Sequence, residues 1–189
     1  MFQTWESGFS LNSISKKVIA AVDVHYMNNN SALAGAIVFA DYTDIKGFRS
    51  YTKYISRVDD YVPGQFYKRE LPCIMAILEI IEEEIDTVII DGYVDLGVIP
   101  GLGKHLWNAL GGKKKVIGVA KKYFHGSEAF KLIRHGSRRP LYITAAGIEP
   151  HTAVNFISGM HGKYRLPTLL KLADSLSKSG KIKKQNFEN

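Results

Sequence analysis

The sequence predicts an α/β fold, a mixed β-sheet flanked by helices, with its first three strands antiparallel and its later strands parallel. Three observations carry that prediction. Residues 17–26, 32–40 and 48–55 are successive strand-like runs separated by short turns, such as Asn28-Asn29-Asn30, and that order implies an antiparallel meander. Leu71, Ile74, Ile77, Leu78 and Ile81 recur at helical spacing, which predicts a central helix over residues 65–83. Residues 86–92 and 115–120 are nearly all apolar, as strands buried on both faces are, and a short helix over 101–110 separates them. Strand, helix and strand in that order mark a parallel crossover.

The remaining elements follow from local signals. Residues 1–15 read as a polar arm or short helix. Gly111-Gly112 ends the helix that precedes the fifth strand. Residues 122–145 are less regular, up to a short apolar strand at 141–144 behind Arg138-Arg139-Pro140. Two helices follow over 151–160 and 167–177, with Pro167 as the first helical residue of the second. The chain of 189 residues suits one domain, expected over 1–178, with a basic, flexible tail over 179–189 that carries Lys181, Lys183 and Lys184.

Composition narrows the function. A net charge of +7 favours a polyanionic partner, of which nucleic acid is the commonest. The single cysteine, Cys73, rules out an intrachain disulfide and a cysteine-built zinc site. It also fits a reducing compartment. No signal-peptide core is present in residues 1–17, and the apolar run at 32–40 is too short to cross a bilayer. The expectation is a cytoplasmic protein with no membrane partner and no obligate protein partner.

The chemistry gathers around Tyr61-Val62-Pro63-Gly64-Gln65-Phe66-Tyr67-Lys68-Arg69-Glu70. Pro63-Gly64 marks a turn, preceded by an aromatic side chain. Pro72 fits a first helical turn, which sets Glu70 at the helix N-terminus as either a capping charge or an active-site acid. Three other acids stand out. Asp23 lies in the first apolar strand, Asp91 ends the fourth, and Asp174 sits in the last helix. Asp91-Gly92 is also a common turn dipeptide, and Asp174 also reads as a solvated helix acid. If the two strands are neighbours, Asp23 and Asp91 meet and repel, and a hard divalent cation such as Mg²⁺ or Mn²⁺ relieves that repulsion. Two such ions would clamp the attacking water and the leaving oxygen of a phosphodiester. Lys121 ends the fifth strand, placed to bind a phosphate or orient that water, or else is a surface lysine beside Lys122. His25 shares the face of Asp23 by strand alternation, whereas His105 and His151 read as structural.

Together these residues resemble the endonuclease V family, over residues 17–178. Tyr61-Val62-Pro63-Gly64 with Arg69-Glu70 matches that family's Tyr-Ile-Pro-Gly and Arg-Glu signature at the same spacing. Val22-Asp23-Val24 and Val88-Ile89-Ile90-Asp91-Gly92 resemble its aspartate strands, Ile117-Gly118-Val119-Ala120-Lys121 its lysine strand, and Tyr164-Arg165-Leu166-Pro167 with Ala173-Asp174 its C-terminal segment. The resemblance implies an RNase H-like fold and a Mg²⁺-dependent endonuclease of DNA repair. Such an enzyme nicks at the second phosphodiester 3′ to deoxyinosine and leaves 3′-hydroxyl and 5′-phosphate ends; some members prefer inosine in RNA. It implies metal binding by Asp23, Glu70, Asp91 and Asp174, and a catalytic Lys121 near the scissile phosphate. Tyr61 and Pro63 become a wedge that fills the gap left by a displaced base. Gly64, Arg69, Gly92, Gly147 and Arg165 become substrate-binding positions.

The chain departs from the family at three places. The family's Asn-Gly and His-Pro-Arg after the second aspartate are replaced by Tyr93-Val94-Asp95-Leu96-Gly97-Val98-Ile99-Pro100-Gly101. Its Gly-His becomes Gly147-Ile148-Glu149-Pro150-His151, and its Pro-Thr-Arg becomes Leu169-Leu170-Lys171. These changes fall around the lesion pocket and the nucleic-acid surface, while the acids remain. They keep two alternatives open: a structure-selective nuclease of the same fold, and a nucleic-acid binder without catalysis.

Overall fold

A computed structural model describes residues 17–181. The arm expected over 1–15 and the tail beyond Lys181 lie outside those residues. The strands are β1 (Val18–Tyr26), β2 (Ala32–Phe39), β3 (Arg49–Ile55), β4 (Ile85–Ile90), β5 (Asp95–Leu96), β6 (Ile99–Pro100), β7 (Lys115–Ala120), β8 (Phe130–Leu132) and β9 (Leu141–Ala146). The helices are α1 (Phe66–Leu78), α2 (Leu102–Ala109), α3 (Pro150–Gly159) and α4 (Thr168–Ser179). Seven strands form one sheet in the order β3-β2-β1-β4-β7-β9-β8, and β5 and β6 make a separate hairpin.

The meander β1-β2-β3 is antiparallel, and β4 and β7 run parallel to β1. The far edge, β9 and β8, returns to antiparallel pairing. Strand alternation splits the apolar residues between the two faces of the sheet. Val22, Val88, Ile90 and Val116 pack with α1 and α2 through Ile74, Ile77 and Leu106. Ile19, Ala21, Ile89, Ile117 and Val119 pack with α3 and α4 through Ile157, Leu172 and Leu176. Among the described residues, no helix is long and apolar enough to cross a membrane.

The central helix starts within one residue of the expected 65 but ends five residues before the expected 83, and Glu70 sits deeper in it than expected. Val62 C=O accepts a hydrogen bond from Gln65 N–H at 3.0 Å, and Gly64 has φ +78°. Proline followed by a positive-φ glycine is the type II turn pattern. The helix starts immediately after it, at Phe66, so Glu70 lies more than a turn inside rather than at the N-terminus, and Pro72 lies inside the helix. Pro72 and Lys68 are both exposed, which leaves the carbonyl released by the missing N–H to water. The helix stops at Leu78 because the acids after it are drawn to β3. Glu83 accepts from Tyr51 Oη–H at 2.8 Å and pairs with Arg49 at 3.1 Å, and Glu82 also pairs with Arg49, at 3.5 Å. At α4, Pro167 is the N-cap rather than the first helical residue.

Candidate active site

Register builds the site. Val22 is level with Ile90, and Ile90 with Gly118, so Asp23 and Asp91 follow as neighbours at one end of the sheet. Asp23, Asp91 and Lys121 continue the series 19-21, 89 and 117-119, and all three face α4. Helix α4 comes close because Gly35, paired with Asp23, has no side chain. A Cβ there would stand 2.7 Å from Ser177 N and 3.2 Å from Ala173 O. The approach brings Ser177 Oγ–H onto Asp23 Oδ2. Asp174, Asp23, Asp91, Lys121, Leu166 and Leu170 line a cleft of about 20 Å³, room for one water or one ion.

Glu70 reaches this end of the sheet from the opposite face, on α1. It is 7% exposed, and its Oε2 has no hydrogen-bond partner. Burial, then the negative charges of Asp23 and Asp91, push its carboxyl pKa up to about 8. Burial also raises Asp23; the Ser177 hydrogen bond opposes this, Asp174 and Asp91 add to it, and Lys121 opposes it. Lys121 Nζ donates to Asp91 Oδ2. Burial would lower the ammonium pKa of Lys121, but the Asp91 contact and the charges of Asp174 and Asp23 outweigh it and raise it. Asp174 is held by Lys178, one turn on, at 2.7 and 2.8 Å. The acids thus share one field without closing on a point. Among the described residues, no three Asp, Glu, His or Cys side chains are gathered tightly enough to make a ready ion cage.

The turn before α1 projects a second feature. Tyr61 is 58% exposed, with its ring edge-on to Phe66 at 6.3 Å. Phe66 meets Tyr26 at 6.2 Å, and the Arg69 guanidinium lies 4.0 Å over the Tyr26 ring. Pro63 and Gly64 are exposed beside Tyr61. An aromatic and cationic series therefore runs from the open turn to the helix that carries Glu70.

The other expected positions are scattered. Gly92 (φ +152°) follows Asp91 directly, and its carbonyl fills the space left by Gly118, where a Cβ would stand 2.6 Å away. Arg165 donates from Nη2 to the backbone carbonyls of Lys121 and Pro140, so it braces the end of β7. Gly147 is not part of the group. Because β9 runs against β7, Gly147 lies at the opposite end of the sheet, where a Cβ would meet Trp107 Nε1 at 2.9 Å and Lys114 O at 3.0 Å. His105 stacks on Tyr67 at 3.6 Å, and His151 meets Phe130 at 4.5 Å. The segment that replaces the family's His-Pro-Arg is the β5-β6 hairpin. Val94 N–H donates to Thr144 Oγ1 at 2.8 Å, and Tyr93 Oη–H donates to Lys122 C=O at 2.7 Å.

Ser177, Lys178 and Gly35 are site residues that reading the motifs missed. Asp174, Ser177 and Lys178 stand at i, i+3 and i+4, the spacing of one helix face, and that signal was available in the sequence.

The endonuclease V family profile matches residues 8–146, well over half of the 189 residues. The chain belongs to the endonuclease V family. That membership makes it a nuclease, a phosphodiester hydrolase. The endonuclease V of Trichormus variabilis is 25% identical over 184 residues, covering 84% of this chain and 81% of its own length. The enzyme of Xanthomonas oryzae pv. oryzae is 26% identical over 203 residues, covering 90% and 81%. In three dimensions, the Streptomyces avermitilis endonuclease V superposes with a TM-score of 0.73 at 24% identity, covering 88% of this chain and 82% of its own. A Ciona intestinalis endonuclease V in complex with a DNA that contains an inosine followed by a ribo-adenosine superposes with a TM-score of 0.73 at 18% identity, covering 87% and 85%. These structural likenesses carry the fold, the RNase H-like mixed sheet.

Proposed function

We propose that this chain is a Mg²⁺-dependent endonuclease that nicks nucleic acid near deaminated purines, at the second phosphodiester 3′ to deoxyinosine. The observation that carries the reading is Glu70, a buried carboxylate with an unpartnered oxygen, in the field of Asp23 and Asp91 and a short helical step from the exposed Tyr61 turn. Family membership supports the nuclease chemistry. The inosine-containing DNA bound by the Ciona intestinalis relative supports DNA as substrate and the lesion.

The donor set fits a hard divalent cation. Burial, with neighbouring negative charge adding to it, raises the Glu70 and Asp23 carboxyls, and an oxygen-preferring ion would answer the charge held there out of water. Asp23, Glu70, Asp91 and Asp174 would hold it. When bound, Mg²⁺ or Mn²⁺ supplies Lewis acidity and makes water a nucleophile at neutral pH. The chain's own groups do the rest. Lys121, beside Asp91, sets a positive charge where the phosphate gathers negative charge as water attacks. The water oxygen forms the new P–O bond, the bond to the 3′ oxygen breaks, and that oxygen leaves as a hydroxyl. Ser177 holds Asp23, and Lys178 holds Asp174, in their orientations. Tyr61 and Pro63 occupy the gap left by the extruded base, and Arg69, packed on Tyr26, keeps a cation behind them.

The test is a panel of oligonucleotides carrying inosine, uracil, an abasic site or a flap, in DNA and RNA, incubated with and without Mg²⁺. Mg²⁺-dependent nicking confined to inosine supports the reading. Nicking of flaps without inosine would establish a structure-selective nuclease instead, and binding without nicking would establish the non-catalytic alternative.

A further inference from the structure

A second cleft, of about 510 Å³, opens on the far side of Lys121 and is walled by Lys121, His135, Lys163, Tyr164, Arg165 and Lys171. Its lining contains no carboxylate. Beneath it lies Arg134, only 2% exposed, and no described carboxylate pairs with it. Its guanidinium instead donates to a ring of backbone carbonyls: Tyr164 at 2.9 Å, Gly162 at 3.3 Å, Arg165 at 3.4 Å, Ser158 at 3.5 Å, and Met160. The loop from α3 to α4 is thereby fixed around a buried positive charge. Arg134 Nη2 also meets His135 Nε2 at 3.3 Å. Tyr164 stands 58% exposed at the rim, with Lys171 Nζ 3.7 Å and Lys163 Nζ 5.8 Å from its ring centre.

A rigid, cation-lined cleft with an exposed aromatic ring is the build of a single-strand track: positive charges follow the backbone and a ring stacks a base. We infer that this cleft holds an unpaired flank of the nucleic-acid strand where it leaves the acid cluster past Lys121, with backbone phosphates on Lys163 and Lys171 and a base on Tyr164. The assignment rests on the nuclease reading, because Lys121 belongs to both regions. It adds a preference: substrates with a single-stranded flank bind better than blunt duplexes of the same lesion. The charges act without regard to sequence, so the gain is the same for any base composition of the flank, apart from the stacking on Tyr164.

The test is fluorescence anisotropy in EDTA over a range of salt. The probes are an inosine-containing blunt duplex and the same duplex with single-stranded thymidine extensions of about ten nucleotides at either end. The wild-type protein should bind one extended probe about tenfold more tightly than the blunt one at low salt. Lys163→Ala/Lys171→Ala should remove that gain and make the log–log salt slope for the extended probe shallower by about 1.4, two single-strand phosphate contacts. Both side chains reach the surface, so the fold should survive. Tyr164→Ala should reduce the gain with the slope unchanged. Lys113→Ala/Lys131→Ala, two exposed lysines outside the cleft, should keep it. Equal affinity of wild type for blunt and extended probes, or an equal loss on both in Lys163→Ala/Lys171→Ala, overturns the assignment while leaving the nuclease reading in place. Failure to bind any probe overturns the assignment as well, and the nuclease reading is decided separately by Mg²⁺-dependent nicking.

Discussion

Two regions of opposite sign meet at Lys121. On one side, Asp23, Glu70, Asp91 and Asp174 crowd negative charge into a partly buried end of the sheet. On the other, Lys163, Arg165 and Lys171 spread positive charge over an open cleft, above a buried arginine. Burial makes the first region costly: a carboxylate out of water shifts its pKa or needs a counter-charge. Exposure makes the second region cheap and individually weak, so it acts by number and by salt-dependent attraction. The contrast separates chemistry from grip. A change in the acid region should alter rate steeply and affinity little, and a change in the basic region should do the reverse.

The largest effect belongs to the acids. Asp91→Ala or Asp23→Ala should lower Mg²⁺-dependent nicking on the order of 10³-fold or more, with oligonucleotide affinity largely kept. Single-turnover cleavage beside a binding titration checks both halves, and full activity in either variant would break the division of labour. Lys121→Met should cost about 10²-fold in rate, because its ammonium touches both regions. A loss confined to affinity would move Lys121 wholly to the basic side. Tyr61→Ala should weaken discrimination between inosine-containing and unmodified probes by about tenfold, the worth of one stacked ring, with a smaller effect on the rate at saturation.

A last effect, on stability rather than on activity, tests the burial of Glu70. An acid whose folded pKa lies above its unfolded value binds more protons folded than unfolded, so stability falls as pH rises between the two values. For Glu70 that window runs from about 4.5 to about 8. Metal-free wild type should therefore lose stability relative to Glu70→Gln across this window, by on the order of 5 kcal/mol at its upper end. Urea melts of both proteins at several pH values check the sign. A difference that stays flat with pH would mean that Glu70 is solvated like an ordinary surface acid.

Much of this was legible in the residues. The β4 and β7 strands are plain in Val88-Ile89-Ile90 and Val116-Ile117, and Asp91 and Lys121, which follow them, announce themselves by ending apolar runs. The depth of Glu70 within α1 was not legible, because Pro72 normally belongs to a first turn. Here the turn at Pro63-Gly64 begins the helix earlier and the proline is left on the exposed face. Strand β8 was hidden because three residues beside Arg134 show no period long enough to read. The position of Gly147 was not legible either, since it depends on the direction of β9, which pairing fixes and local sequence does not. Arg134 is the clearest case of a silent residue. A buried arginine with only carbonyl partners has no motif, and its role emerges only when the α3–α4 loop is wrapped around it.

The central claim is that acids distant in sequence share one electrostatic site around Glu70. The most direct measurement is the Glu70 carboxyl pKa, from ¹³C NMR titration of metal-free protein, in wild type and in Asp23→Asn and Asp91→Asn. The account predicts a value near 8 in wild type that falls when either neighbour is neutralised. A value near 4.5, unmoved by both substitutions, would contradict it.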